Sequence, residues 1–73
     1  SRNSKPGAPI LTPRELEVLQ LLATGAKTDA IADQLFITHR TATTHMSNIY
    51  RKLGTNNRTT AVRKAIELGL ISM

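Results

Sequence analysis

The chain has 73 residues, ten basic and five acidic side chains, a formal net charge of +5 and no cysteine. This length allows one small domain, and the lack of cysteine excludes a disulfide framework and a thiolate metal site. The 40% hydrophobic content includes one Phe, one Tyr and no Trp, which favours a helical core of Leu, Ile and Ala, and the apolar runs are too short to span a membrane.

Residues 1–10 contain Ser, Pro and Gly and show no hydrophobic period. We expect them to be a flexible linker or residues added in cloning, followed by one folded domain over residues 11–73. Because the chain begins with Ser1 and shows no signal-peptide pattern, we also expect a piece of a longer, cytoplasmic protein.

The first predicted helix has recognisable start and stop signals. Thr12 suits the N-cap, Pro13 the first helical position and Glu15 the third, which together form a capping box. Gly25 is the expected stop. The predicted inward face of this helix consists of Leu16, Val18, Leu19, Leu22 and Ala23.

A second, shorter helix is predicted from about Thr28 to Leu35, with Thr28 as a candidate cap. Residues 36–38 then make a turn, and Thr38 is expected to cap the third helix. This spacing, with the small Ala42 where the two helices cross, fits a helix-turn-helix. The residues of the second helix that are expected to face inward are Ile31, Ala32 and Leu35.

The third predicted helix runs from Thr38 to a stop at Gly54 and has two opposed faces. At about 100° per residue, its apolar residues form one stripe and its cationic and hydroxyl residues collect on the other side. The stripe consists of Ala42, Met46, Ile49 and Leu53, and the polar face of Arg40, Thr43, Thr44, Ser47 and Arg51. Such a face, on a helix presented by a partner helix, is typical of a DNA major-groove reader.

A fourth helix is predicted over about residues 58–68, with Asn57 as N-cap and Gly69 as stop. Its apolar residues cover nearly half of its circumference, which is more than one buried face needs. Two interpretations stay open. Either Val62 and Ile66 form part of a dimer interface, or this helix is sunk more deeply into its own core.

The basic residues are concentrated late in the chain, where Glu67 is the only acid after Thr38. This distribution is an electrostatic footprint for a polyanion. We expect phosphate contacts beside the third helix and at the start of the second, whose backbone amides also suit a phosphate. The alternative for each cation is a solvated surface charge. The expected phosphate contacts are Lys27, Thr28, Arg40, Arg51, Lys52 and Arg58.

No catalytic constellation is visible in the sequence. The acids are scattered, no glycine loop can cradle a nucleotide, and no Ser–His pair has an orienting carboxylate. His39 and His45 are six residues apart, which is unsuitable for a two-histidine metal site on one helix face. We therefore expect no enzymatic activity, metal or cofactor. We expect Glu15 to close its helix cap or to pair with a basic residue such as Arg58. We expect His45 to be half-buried.

Several short motifs keep a distinctive order: Leu-Thr-Pro-Arg-Glu at residues 11–15, Leu-Phe-Ile at 35–37, Ser-Asn-Ile-Tyr-Arg-Lys-Leu-Gly at 47–54 and Arg-Thr at 58–59. Over about residues 11–71, the chain resembles the LuxR-type helix-turn-helix domain. That family forms the C-terminal output domain of bacterial regulators, including NarL/FixJ-type response regulators of two-component systems and quorum-sensing receptors. It also exists as small stand-alone proteins.

The resemblance implies an all-α four-helix bundle containing a helix-turn-helix. It also implies sequence-specific binding to double-stranded DNA as a dimer through the last helix, contact with RNA polymerase, and an N-terminal receiver or ligand-sensing domain in the full-length protein. The family's base-contacting positions fall at Thr43, Thr44 and Ser47. Lys or Arg is frequent in the family at the places of Thr43 and Ser47, so the short hydroxyls here imply weaker or water-mediated base reading, with more reliance on DNA shape.

Three other functions stay open on the sequence. Region four of a sigma factor also reads promoter DNA with a helix-turn-helix, but it does not need a dimer helix after the recognition helix. A protein-interaction module with this fold would show no sequence preference for DNA. A chromosome-coating protein would bind DNA tightly at any site.

Overall fold

The computed structural model describes residues 11–72 and has four helices in that range. The helices are α1 (Pro13–Ala23), α2 (Thr28–Leu35), α3 (His39–Leu53) and α4 (Arg58–Glu67). Residues 11–72 contain no strand, and the predicted all-α fold is confirmed. The expected linker over residues 1–10 lies outside the described residues, as does Met73.

Side-chain caps begin three of the four helices, where the sequence predicts them. The Thr12 hydroxyl accepts the backbone N–H of Glu15 at 3.1 Å, and the Glu15 carboxylate accepts the N–H of Thr12 at 3.0 Å, which completes the capping box of α1. Thr38 caps α3 and Asn57 caps α4 in the same way. Each cap satisfies a backbone donor that has no partner within its helix.

The start of α2 differs from the prediction, because Lys27 and not Thr28 is the N-cap residue. Thr28 already has its place inside the helix, and its hydroxyl donates to the sulfur of Met46 in α3 at 3.7 Å. The interpretation of Thr28 as a cap is therefore wrong. Its side chain instead links the two helices of the helix-turn-helix.

The stops of the helices follow the predicted glycines. Gly54 has a φ of 71°, in the left-handed region that glycine adopts at low cost, and it ends α3. Gly69 follows α4 with a φ of 76°, although that helix ends at Glu67, one residue before the predicted Leu68. The predicted and observed bounds therefore agree to within one residue there.

The core lies around α3, which packs against each of the other three helices. Its stripe of Ala42, Ile49 and Leu53 is buried, and Met46 is partly buried against the core. Ala42 is fully buried, as a close helix crossing requires. The core residues from the other helices are Val18, Leu19 and Leu22 of α1, Ile31 and Ala32 of α2, and Ala61 and Ala65 of α4. Since these three helices cover one side of α3, its other side faces outward.

Within residues 11–72, no helix is both long enough and apolar enough to cross a bilayer.

Candidate nucleic-acid interface

The outward side of α3 carries the polar face that the helical spacing predicts. All five of its residues are exposed, while the apolar stripe of the same helix is turned inward. We call these five residues the α3 polar face: Arg40, Thr43, Thr44, Ser47 and Arg51. The face contains two guanidinium groups and three hydroxyls and no carboxylate, so it suits a polyanion with hydrogen-bonding groups between its charges.

The hydroxyl of Thr43 is partly committed within the helix. It donates to the backbone carbonyl of His39 at 2.9 Å, one helical turn earlier. The proton of this hydroxyl is therefore used, and the groups that remain for a ligand are its methyl and the lone pairs of its oxygen. A methyl at this position suits the C5-methyl of thymine, and the oxygen can accept from a base amino group.

The two arginines of the α3 polar face differ in their surroundings. Arg51 donates from Nη2 to the side-chain oxygen of Asn48 at 2.8 Å, which holds its guanidinium close to the helix surface. Its other N–H groups remain available, since a guanidinium has five. Arg40 lies in the first turn of α3, at the end of a recognition helix that usually enters the groove.

Lys52 was predicted to contact phosphate, and the structure gives it a protein partner. Its Nζ donates to Oε1 of Glu15 in α1 at 2.8 Å, and this same oxygen accepts the N–H of Thr12. The Glu15 residue is only 4% exposed. A phosphate would have to compete with this carboxylate for the ammonium group of Lys52. The phosphate contact of Lys52 stays a prediction.

The expected roles of Glu15 are partly confirmed. It closes the capping box, but the basic side chain that it pairs with is Lys52, not Arg58. Burial raises the pKa of Glu15, and the hydrogen bonds from Lys52 and Thr12, with the nearby charges of Lys52 and His45, lower that pKa by more. The pKa of this carboxyl therefore lies below its ordinary value. His45 is half-buried, as predicted.

The start of α2 lies beside the start of α3, and a polar pair connects the two. Nδ1 of His39 and Oδ1 of Asp29 are 2.7 Å apart, and both side chains are largely exposed. Among the helices in residues 11–72, α2 is the one whose N-cap residue, Lys27, makes no side-chain capping bond. The pair was not predicted from the sequence, because the two residues lie ten positions apart on different helices.

The exposure of Phe36, in the turn between α2 and α3, was also missed. Phe36 was expected in this turn, and no role was predicted for it. The residue is 94% exposed, and its φ of 57° and ψ of 43° are left-handed. Exposure of a turn residue depends on how the chain packs on either side, so no local pattern could have indicated it.

The remaining predicted site residues lie on α4. Arg58 is half-buried at its start, Val62 is half-buried, and Ile66 is 39% exposed. The buried side of this helix is formed by the small residues Ala61 and Ala65. The surplus apolar surface noted in the sequence is therefore not fully absorbed by the core. That surface lies on a different helix from the α3 polar face.

The chain matches the family "Bacterial regulatory proteins, luxR family" over residues 9–65. It is 39% identical over 70 residues to the probable transcriptional regulatory protein NarL of Mycobacterium tuberculosis. This alignment covers 96% of this chain and 32% of NarL. It is 40% identical over 65 residues to the spore germination protein GerE of Bacillus subtilis. This alignment covers 89% of this chain and 88% of GerE. The chain thus spans about a third of NarL and most of GerE.

Two solved structures are similar in fold and sequence. ChrA, a response regulator of a haem-sensing two-component system, aligns with a TM-score of 0.83 and 44% identity over 85% of this chain and 31% of ChrA. The transcription factor GerE aligns with a TM-score of 0.80 and 40% identity over 85% of this chain and 92% of GerE. The resemblance drawn from the motifs is confirmed. The chain belongs to the LuxR family of bacterial regulatory proteins and is a LuxR-type helix-turn-helix DNA-binding domain of the kind found in transcriptional regulators.

Proposed function

We propose that this domain binds operator DNA with α3 in the major groove. The observation that carries the proposal is the α3 polar face, which is fully outward while the core holds the opposite side of the same helix. Thr43, Thr44 and Ser47 contact base edges, and the flanking Arg40 and Arg51 contact phosphates. Because the base-reading side chains are short, part of the sequence preference comes from bridging water and from DNA shape.

A second group of phosphate contacts belongs to the start of α2 and the start of α4. Lys27 contributes its charge, and the first backbone amides of α2 point toward the same phosphate. The lack of a side-chain cap on α2 supports this assignment, because those amides then keep their hydrogen-bonding capacity for a ligand. Thr28 contributes its backbone, since its hydroxyl is directed to Met46. Arg58 contributes from the first turn of α4.

The domain acts as a dimer on two half-sites, with Val62 and Ile66 of α4 at the interface. The partial exposure of both side chains supports this, because two apolar residues one helical turn apart form a continuous surface. The area on one short helix gives weak association by itself, so pairing occurs on DNA. RNA polymerase is a further partner of the bound dimer.

The domain is part of a longer regulator that works in the cytoplasm, where a receiver or ligand-sensing domain controls it. The similarity to ChrA and NarL, of which this chain spans about a third, supports a further domain. The domain itself binds DNA and has no catalytic role.

Selection of bound duplexes from a random library at near-physiological salt tests this function. The proposal predicts an enriched inverted pair of half-sites whose centres are about one helical turn apart. Enrichment no better than random, with tight binding, would indicate a chromosome-coating protein. No binding at all would favour a protein-interaction module, which the short side chains of Thr43, Thr44 and Ser47 leave as the alternative.

A further inference from the structure

Phe36 gains no stability from burial of its side chain, and its backbone conformation is strained. Its side chain is 94% exposed, and its backbone has a φ of 57°, a conformation that is rare for bulky residues and easy for glycine or asparagine. Strained residues that the surrounding structure holds in place are concentrated at functional sites. A residue that gains nothing from the core and is strained in its backbone needs an explanation outside the fold.

The turn around Phe36 is well fixed, so the exposure is not the result of a loose loop. The N–H of Phe36 donates to the carbonyl of Asp33 at 3.3 Å, and the N–H of Ile37 donates to that of Ala32 at 3.0 Å. The neighbours on either side, Leu35 and Ile37, are partly buried against the core. The aromatic ring is therefore held in solvent by an ordered backbone.

The position of Phe36 relative to α3 indicates what the ring meets. It lies two residues before Thr38, the N-cap of α3, and four before Arg40 of the α3 polar face. The N-terminal part of a recognition helix enters the major groove, so a side chain just ahead of that helix lies at the wall of the groove. The wall is the sugar–phosphate backbone of one strand, where deoxyribose rings offer apolar C–H surface between the charges.

A protein partner fits this position less well. An apolar docking surface on a protein is a patch of several residues. In residues 11–72 the other large exposed hydrophobic side chain is Ile66, which lies on α4. Around Phe36 the exposed neighbours are polar, namely Asp33, Gln34, Thr38 and His39. A single ring in polar surroundings suits a ligand whose own surface alternates between apolar and charged groups.

We propose that Phe36 packs against deoxyribose of the DNA backbone at the edge of the major groove, where it adds to affinity and fixes the entry of α3. This inference rests on the proposed docking of α3. Since the ring has no charge and its proposed contact is with deoxyribose, which every sequence contains, it contributes equally to all sequences and leaves the salt dependence of binding unchanged.

Four variants test the proposal: Phe36→Gly, Phe36→Asn, Phe36→Tyr and Arg40→Ala. Thermal unfolding and DNA affinity are measured for each, on the selected site and on an unrelated duplex. Gly and Asn both tolerate the left-handed backbone, so we expect both variants to unfold at a temperature equal to or above that of the parent. We expect both to bind each duplex about five- to tenfold more weakly, because the apolar contact is lost. Phe36→Tyr keeps the ring and should bind within about twofold of the parent.

Opposite signs for stability and affinity separate a DNA contact from a folding defect. Affinity that is unchanged in Phe36→Gly and Phe36→Asn would overturn the inference and direct the search to a protein partner. A loss in Phe36→Gly alone would assign the effect to turn flexibility, and an altered base preference would replace the backbone contact by a base contact. Arg40→Ala distinguishes a failure of the proposed docking of α3 from a failure of the inference about Phe36. If it binds like the parent, the docking of α3 is wrong, whereas if it alone is weakened, only the role of Phe36 is wrong.

Discussion

Glu15 and Lys52 lie 37 positions apart in the sequence and are joined by a 2.8 Å hydrogen bond that fastens the start of α1 to the last turn of α3. The side chain of Glu15 is 5% exposed and that of Lys52 is 31% exposed. The same carboxylate oxygen also accepts the N–H of Thr12. One buried oxygen therefore closes a helix cap and positions the helix that carries the α3 polar face.

The lowered pKa of Glu15 predicts how stability depends on pH. A carboxyl whose pKa is lower in the folded state stabilises the fold above its ordinary pKa of 4.5, and this contribution is lost as the pH falls through the folded value. Glu15→Gln should therefore reduce the loss of stability below about pH 4 relative to the parent. Urea unfolding from pH 7 to pH 3 measures this. Parallel pH profiles for the two proteins would contradict it.

The unequal exposure of the pair predicts unequal costs of breaking it. In Glu15→Gln the amide oxygen can still accept from Thr12 and the ammonium of Lys52 can reach water, so we expect a loss of about 1 kcal/mol at pH 7. Lys52→Met leaves a buried carboxylate without its cation, so we expect about 3 kcal/mol. Without Lys52, only the hydrogen bond from Thr12 and the charge of His45 oppose the effect of burial on the pKa of Glu15, so the pH slope shrinks. Equal losses of unfolding free energy would show that the carboxylate is readily hydrated.

The helices were predictable because their signals are local. The capping box of Thr12 and Glu15, the cap at Thr38 and the stop at Gly54 each lie within three residues of the helix end they define. The pairing of Glu15 with Lys52 was not predictable. Several basic side chains could in principle reach a carboxylate at the start of α1, and only the crossing of α1 and α3 decides which of them does.

In the candidate site, the features that lie within one helix were predictable and those that lie between helices were not. The faces of α3 follow from a period of 3.6 residues, so the exposure of Arg40 and Thr44 could be read from the sequence. The exposure of Phe36 and the pair of His39 with Asp29 depend on how α2 and α3 meet at the turn. These features lie between elements, where sequence periodicity carries no information.

Thr44 lies in the middle of the α3 polar face and is expected to read one base position. Thr44→Ala removes a hydroxyl and a methyl from an exposed site, so the free energy of unfolding should change by less than about 0.5 kcal/mol. Base preference at one position of each half-site should relax, with a cost of about 1 kcal/mol on the preferred base. Binding to a complete set of single-base variants of the operator measures this. A uniform loss at all positions would contradict base reading by Thr44.

Ile66 is expected to join two copies on DNA. Because it is 39% exposed, Ile66→Glu should keep the fold, whereas Ala65→Glu, at a fully buried position, should unfold it. Ile66→Glu should lower the cooperativity of binding to paired half-sites, with affinity for a single half-site as the control for the added charge. Cooperativity equal to that of the parent would place the dimer interface elsewhere.

The salt dependence of DNA binding by Arg40→Ala tests whether α3 docks in the major groove, with Arg14→Ala as the matched control. Both arginines are exposed, but Arg14 lies on α1 and is paired with Glu17 at 3.0 Å. We predict that Arg40→Ala weakens binding to every sequence and lowers the slope of log affinity against log salt by about 0.9, while Arg14→Ala leaves both unchanged. An unchanged affinity and slope in Arg40→Ala would contradict the docking of α3 in the major groove.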